Sequence, residues 1–167
     1  MRLADGFLEI GESERAREHA MSVHDLSLEL NEHQLHARSR VILGRYYAKT
    51  KDSELSLLHY NAALETFSEE ANPTNAVETE MLLGQVLVDV GRTSEASEHY
   101  LDALSIAEAN DFRLLQAEIL ARLGTIRGDR SERVAYLQRS LSVFKDLGAH
   151  TRMKEIQNSV HRALMGR

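Results

Sequence analysis

Hydrophobic residues recur at three- and four-residue spacings along most of the chain, which is the pattern of helices that bury one face. A single Pro in 167 residues leaves few positions where a helix must break. The spacing predicts helices at about 2–10, 13–31, 34–50, 53–70, 75–90, 93–109, 112–126, 131–146 and 150–165. The chain is therefore predicted to be all-α.

The helical pattern repeats along the chain with a period of about 40 residues, within the range of known helical repeats. The segment LGRYYAKTKDSELSLLHYNAAL (43–64) aligns with LGQVLVDVGRTSEASEHYLDAL (83–104). Gly44, Gly84 and Gly124 occupy one position of this repeat, in the middle of a predicted helix. Because Gly costs about 1 kcal/mol relative to Ala inside a helix, we expect a neighbouring helix to approach closely there. Ala96 and Ala103 are the small residues expected to receive it.

Short polar residues mark where the second helix of each pair begins. A hydroxyl at the N-cap can accept a hydrogen bond from a free backbone N–H. The predicted N-caps are Ser13, Ser53, Thr93 and Ser131. Pro73 is predicted to break the chain between hairpins, with a new helix starting at Asn75.

The pattern L-G-x-x-[YL]-x-x-x-[GK] followed by [AS]-x-x-x-Y-x-x-A-L resembles the tetratricopeptide repeat (TPR) family, and the length of the period resembles its long-repeat subclass in bacterial regulatory proteins. The resemblance implies an α-solenoid with a right-handed superhelix. A single domain over residues 1–167 would hold four hairpins, at about 1–32, 33–73, 74–111 and 112–148, and a capping helix at 150–165. Because the first hairpin begins partway through its first helix, a segment of a longer protein is one interpretation.

In the TPR family the first helices of the hairpins line a concave groove, and the resemblance carries this role to positions of the present chain by register. The partner-binding residues would be Arg38, Val41, Arg45, Lys49, Glu78, Met81, Gln85, Asp89, Glu118 and Arg122. The strip would continue through Asp5, Leu8 and Glu9 at one end and through Asn158 and Arg162 at the other. Both signs of charge with apolar positions between them fit an extended or helical peptide. The alternative is that these residues only solvate an empty groove.

Charge is divided unevenly along the chain. The net charge is −6, yet residues 51–111 carry 13 acidic and two basic side chains, while residues 112–167 carry 11 basic and five acidic ones. The two blocks could pair between copies of the chain. The basic block could also attract phosphates, but the negative net charge and the lack of interleaved aromatic residues make nucleic acid an unlikely partner.

Residue patterns that support chemistry are absent from the sequence. It contains no phosphate-binding G-x-x-x-x-G-K-[ST], no G-x-S-x-G, no H-E-x-x-H and no Cys. His19, His59 and His99 occupy one position of successive repeats, too far apart to share one metal ion in stacked hairpins. His33 and His36 lack an obvious third ligand and are expected to be exposed. We predict no catalytic residues, no metal and no cofactor, and a soluble cytoplasmic protein that lacks a membrane segment.

Two functions are consistent with these observations. The first is a non-catalytic protein–protein interaction scaffold that binds a peptide or partner helix in the groove. The alternative is a regulatory or dimerisation segment of a larger bacterial signalling enzyme or transcription activator. The ending SLSVFKDLGAHTRMKEIQNSVHRAL (140–164) is similar to the last repeat of such signalling proteins.

Overall fold

The computed structural model describes residues 6–8, 10–126 and 128–165, and these residues form α-helices joined by short turns, without a strand. After a helical segment at 6–8, the helices are α1 Ser13–Glu29, α2 His33–Lys49, α3 Ser53–Glu69, α4 Pro73–Asp89, α5 Thr93–Ala109, α6 Arg113–Leu123, α7 Arg130–Asp146 and α8 His150–Met165. From α1 onwards the predicted helix ends agree with these within three residues. The predicted helix at 2–10 lies partly outside the described residues. Each helix packs against the next one along the chain, which is the nearest-neighbour stacking of a repeat protein.

The turns after the first helices and after the second helices share one design. Each contains a residue with positive φ, at Gly11, Asn31, Lys51, Ala71, Gly91 and Asp111. The N–H of the following residue bonds a carbonyl five positions back, as Asp52 N does to Tyr47 O at 2.9 Å. This is the Schellman arrangement that ends helices. Because these turns are evenly spaced along the chain, the helices between them, α1 to α5, have equal lengths.

The observed N-caps lie one or two residues before the predicted ones, so the N-cap prediction is wrong. Asp52 caps α3, and its side chain accepts from Leu55 N at 3.2 Å. Asn72 caps α4 and accepts from Asn75 N at 3.3 Å. The helix thus starts at Pro73 rather than at Asn75, because Pro at the first helical position has no N–H to leave unsatisfied. The predicted hydroxyl caps lie inside the helices, as Ser13, Ser53, Thr93 and Ser131.

Close approach of a neighbouring helix is confirmed at all three repeated glycines, and Gly44 and Gly84 also lie in the middle of a helix as predicted. A Cβ atom on Gly44 would lie 2.5 Å from Cε1 of Tyr60, and one on Gly84 would lie 2.5 Å from Cε1 of Tyr100. Both tyrosines are 1% exposed. The side chain that meets the glycine is therefore an aromatic ring and not one of the two predicted alanines. The glycines leave room for a large ring to fill the space between the paired helices.

The fourth hairpin departs from this pattern. Gly124 is the C-cap of α6 rather than a residue in the middle of a helix, and α6 has only 11 residues. Leu137 takes the place of the tyrosine, and a Cβ on Gly124 would collide with its side chain. Ile126 is buried at 7% exposure in the turn that follows.

Buried side chains form overlapping clusters along the stack rather than one central core. The largest cluster joins α3, α4, α5 and α6, and a second joins α6, α7 and α8. Helix α8 buries Ile156 and Ala163, while most of its other side chains are exposed. It thus covers the apolar face of α7, the role expected of a capping helix. None of the helices in the described ranges is long and apolar enough to span a bilayer.

Candidate functional site

The predicted groove residues lie on α2, α4 and α6, and we call them the strip. Those that are exposed are Arg38, Arg45, Lys49, Glu78 and Asp89, and those that are half-buried are Val41, Gln85, Glu118 and Arg122. Met81 is only 8% exposed and packs in the largest core cluster. The sequence assigned it to the strip as an apolar contact, but in the structure it belongs to the core. The strip is therefore mainly polar.

Two residues of the strip hydrogen-bond across neighbouring hairpins. Arg122 Nη1 on α6 donates to Gln85 Oε1 on α4 at 2.6 Å, and Gln85 Nε2 donates to Asp89 Oδ1 at 2.9 Å. The Arg122 guanidinium also lies over the Tyr100 ring, 5.9 Å from its centroid. Burial raises the pKa of Tyr100, so its phenol stays protonated beneath the cation. Arg122 is consequently held in place rather than free to rotate.

Further contacts bring the first helices of the hairpins side by side. Asn72 Nδ2, at the start of α4, donates to Gln34 Oε1 on α2 at 2.8 Å. At the other end, Arg152 Nη2 on α8 lies 3.5 Å from Glu118 Oε1 on α6. Helices α2, α4, α6 and α8 thus present neighbouring side chains to one another in chain order. The predicted strip residue Arg162, also on α8, is exposed and donates to Ser159 Oγ at 3.1 Å.

The basic end of the strip is on α2. Lys49 Nζ donates to the carbonyl of Leu8 at 2.8 Å, so the lysine is anchored to the helical segment that precedes α1. Burial raises the pKa of Tyr60 to about 12, and the nearby charge of Arg45 opposes that shift. Asp5 and Glu9, which the sequence placed in the strip, lie outside the described residues. Along the strip, the exposed charges change from basic on α2 to acidic at Glu78 and Asp89 on α4.

Residues 81–110 match the sequence model of the tetratricopeptide repeat. The chain contains a tetratricopeptide repeat. This confirms the family resemblance found in the sequence, and the matched segment runs from the middle of α4 to the end of α5. A search of curated proteins by sequence found no match.

Solved structures of TPR-type proteins share the fold. A STAND signal-transduction ATPase with a TPR sensor, from Pyrococcus horikoshii, superimposes with a TM-score of 0.84 at 15% identity over 96% of this chain and 26% of its own. The apo form of RapI gives 0.71 at 20% identity over 97% of this chain and 65% of its own. A Rap protein complexed with competence and sporulation factor gives 0.71 at 15% identity over 96% of this chain and 51% of its own. The predicted α-solenoid is thereby confirmed, and the chain spans less than two thirds of each of these proteins.

Histidines at one position of the TPR repeat meet different partners in successive hairpins. His19 stacks on Phe7 with ring centroids 5.7 Å apart, and His59 stacks on Tyr47 at 5.3 Å. His99 Nδ1 instead lies 2.6 Å from a carboxylate oxygen of Glu80, a residue that is 7% exposed. Sequence reasoning missed Glu80 because its equivalent in the preceding repeat is Arg40. The change from Arg40 to Glu80 at this repeat position is visible in the sequence. It was the signal that the histidine of the third hairpin could have a different partner.

A second histidine contact joins α1 to α2. His36 is half-buried, and its Nε2 lies 3.3 Å from Nε2 of His24. The expectation that His36 is an exposed neighbour of His33 is therefore wrong, because α1 packs over this face of α2. His24 was not singled out in the sequence, since its partner lies on the next helix, across a turn. No group of three or more His, Asp or Glu side chains in the described ranges could hold a metal ion.

Proposed function

We propose that this chain is a non-catalytic protein-interaction scaffold that binds a peptide or a partner helix along the strip. The observation that carries the proposal is the Gln85–Arg122 hydrogen bond. It supports one continuous binding surface because two strip residues from successive hairpins stand next to each other. Among the similar structures is the Rap conjugation gene regulator of plasmid pLS20, solved in complex with the Phr* peptide, at 16% identity and a TM-score of 0.70. That likeness motivates a peptide ligand here.

The charges of the strip suggest what such a ligand carries. Arg38 and Arg45 on α2 would attract acidic groups, and Glu78 and Asp89 on α4 would attract basic ones. Helix α6 contributes Glu118 and Arg122 to the strip, and Arg122 already donates a hydrogen bond to Gln85. We therefore expect a bound peptide to place its acidic residues towards α2 and its basic residues towards α4.

The test is selection of peptides from a random 12-residue display library, followed by fluorescence anisotropy with the selected peptides. Arg38→Glu with Arg45→Glu should weaken binding at least about tenfold, because removing charged interface contacts costs more than about 1.4 kcal/mol. Lys145→Glu with Lys154→Glu makes the same change of charge on exposed positions of α7 and α8 and should leave affinity unchanged. Equal binding by the two variants, or a library that yields no peptide, would refute the proposal. Circular dichroism should show the same helicity for both.

A regulatory segment of a larger signalling protein is the second candidate. It is favoured by the likeness to the STAND ATPase with a TPR sensor, a signal-transduction protein that this chain matches over 26% of its length. Immunoblotting of the native source should then reveal a polypeptide much heavier than the 18.9 kDa of this chain. A native product of that mass would contradict it. The scaffold proposal and this one are compatible, since a sensory segment can also bind a peptide.

We also propose that the acidic block 51–111 and the basic block 112–167 associate between copies, with nucleic acid an unlikely partner. Part of the basic block is already used within the chain, since Arg139 lies 3.1 Å from Glu108 and Arg113 lies 3.5 Å from Asp146. Light scattering at about 50 mM and about 500 mM salt tests the remainder, because higher salt screens exposed charges. Association at low salt only would support the proposal. A monomer at both salt concentrations would rule it out.

A further inference from the structure

Equivalent positions of the second and third hairpins carry opposite charges, and each lies beside the histidine of its own hairpin. Glu80 on α4 accepts a hydrogen bond from Nδ1 of His99 on α5 at 2.6 Å. In the preceding repeat, Arg40 takes the place of Glu80, and His59 takes the place of His99. The Nδ1 of His59 is buried and has no hydrogen-bond partner among the residues that the structure describes. The third hairpin thus stabilises a protonated imidazole where the second one disfavours it.

The contact between His24 and His36 has a defined arrangement of protons. Ser39 Oγ donates its only proton to the carbonyl of His36 at 2.6 Å, so its oxygen must accept from Nδ1 of His24, 3.3 Å away. The Nε2 of neutral His24 is then a lone pair that faces Nε2 of His36 at 3.3 Å. A single proton between the two Nε2 atoms satisfies both rings. Protonation of both rings takes two further protons and would place two cationic imidazoles, 4.2 Å apart between centroids, against each other.

The charges around this cluster act mainly in one direction. Burial lowers the pKa of His24 and of His36, and the charge of Arg40 lowers both further. For His36 the neighbouring ring of His24 and the exposed His33 add to the effect on the pKa. Within the described part of the chain, the carboxylate of Asp25 acts in the opposite sense and raises the pKa of His24.

The two repeat-equivalent histidines respond in opposite ways. Burial lowers the pKa of His59, with Arg40 and His24 adding to the shift. The hydrogen bond to Glu80 raises the pKa of His99 in spite of burial, and the charges of Asp102 and Glu98 raise it further. A histidine whose pKa is lowered by folding destabilises the packed helices as pH falls below about 6.5, because it binds a proton more readily once the helices separate. A histidine whose pKa is raised by folding keeps its stabilising contact at low pH and loses it as pH rises.

We propose that the junction of α1, α2 and α3 is a pH-sensitive switch. Protonation of His24, His36 and His59 around Arg40 loosens the packing of these three helices. The contact between Glu80 and His99 keeps α4 and α5 together at the same pH. A repeat stack permits such a local response because each hairpin contacts only its neighbours, and parts of a protein can open without global unfolding. Histidine is the side chain whose charge changes between about pH 5 and 8. The device lies between paired helices and does not depend on the strip binding a ligand.

The test is a histidine titration of the full chain by nuclear magnetic resonance, joined to amide hydrogen exchange corrected for the intrinsic effect of pH. His24, His36 and His59 should titrate below about 6.5, and His99 above it. From pH 7 to pH 5, amides in residues 20–42 should lose at least about tenfold in protection relative to those in residues 80–100. Midpoints in the reverse order, or an equal loss in both segments, would overturn the proposal.

Charge reversal at one residue isolates the cause. Arg40→Glu gives the second hairpin the charge of the third, so the His59 midpoint should rise and protection at pH 5 should be retained. Arg38→Glu makes the same change at an exposed position of α2 and should leave the His59 midpoint where it is. An unchanged midpoint in the Arg40 variant would refute the role of Arg40. Should that variant fail to fold, His36→Gln decides instead, because it removes one ring of the pair and should diminish the loss at pH 5. A loss equal to that of the unmodified chain would then overturn the proposal.

Discussion

Replacing Gly44 by Ala tests whether the ring of Tyr60 occupies the space that the glycine leaves. The added Cβ would lie 2.5, 2.6 and 3.0 Å from three ring atoms, whereas ordinary contacts lie at 3.4–4 Å. The ring must therefore move by about 1 Å, although Tyr60 is 1% exposed and tightly surrounded. Overpacking of this kind costs about 1–3 kcal/mol, while Ala gains about 1 kcal/mol over Gly inside a helix.

The balance predicts that Gly44→Ala lowers the free energy of unfolding by about 1 kcal/mol, or the melting temperature by about 2–4 °C. The sign should reverse once the ring is gone. In a Tyr60→Ala background, the same substitution should raise the free energy of unfolding by about 1 kcal/mol, since only the helix-propensity gain remains. Urea unfolding followed by circular dichroism measures all four proteins of this cycle.

A stabilising effect of Gly44→Ala in the unmodified chain would refute the reasoning, because it would mean that the ring does not oppose a Cβ. So would an effect of the same sign and size in both backgrounds. Gly84 and Tyr100 have the same geometry and provide an independent repetition of the cycle in the next hairpin.

Three further predictions concern residues that form side-chain hydrogen bonds, and each is measured by urea unfolding. Glu80→Gln should lower the free energy of unfolding by about 1–2 kcal/mol at pH 6 and by less at pH 8. The pKa of His99 is raised, so the stabilisation from its contact with Glu80 is present at low pH and is lost as pH rises. Equal losses at both pH values would contradict this. Ser56→Ala should lower the free energy of unfolding by about 1 kcal/mol, because the buried hydroxyl of Ser56 donates to the carbonyl of Gly44 on α2 at 2.9 Å. The control Ser68→Ala, at an exposed position of the same helix, should change it by less than about 0.5 kcal/mol. Asn72→Ala should cost about 1–2 kcal/mol, because it removes both the N-cap bond to Asn75 N and the bond to Gln34 Oε1. An unchanged unfolding midpoint would show that neither bond contributes.

The ends of the helices were predictable because local interactions define them. Turn residues recur at regular intervals, and each turn closes through backbone bonds between residues five positions apart. The caps of the second helices were misassigned by one or two residues, although Asp52 was visible in the sequence, and Asn72 lies three residues before the start predicted at Asn75. Hydroxyl, carboxylate and carboxamide side chains can all cap a helix, and the observed bonds from Leu55 N to Asp52 and from Asn75 N to Asn72 identify the caps.

The sequence by itself determined the helices, the period at which they repeat and the need for close approach at Gly44 and Gly84. Only the tertiary structure decided which side chain fills each space: Tyr60 rather than an alanine, and Met81 in the core rather than in the strip. It also decided that His36 meets His24 across a turn. The physical reason is that helical spacing defines the face on which a residue lies, whereas its partner depends on how two helices pack and which rotamers then fit between them.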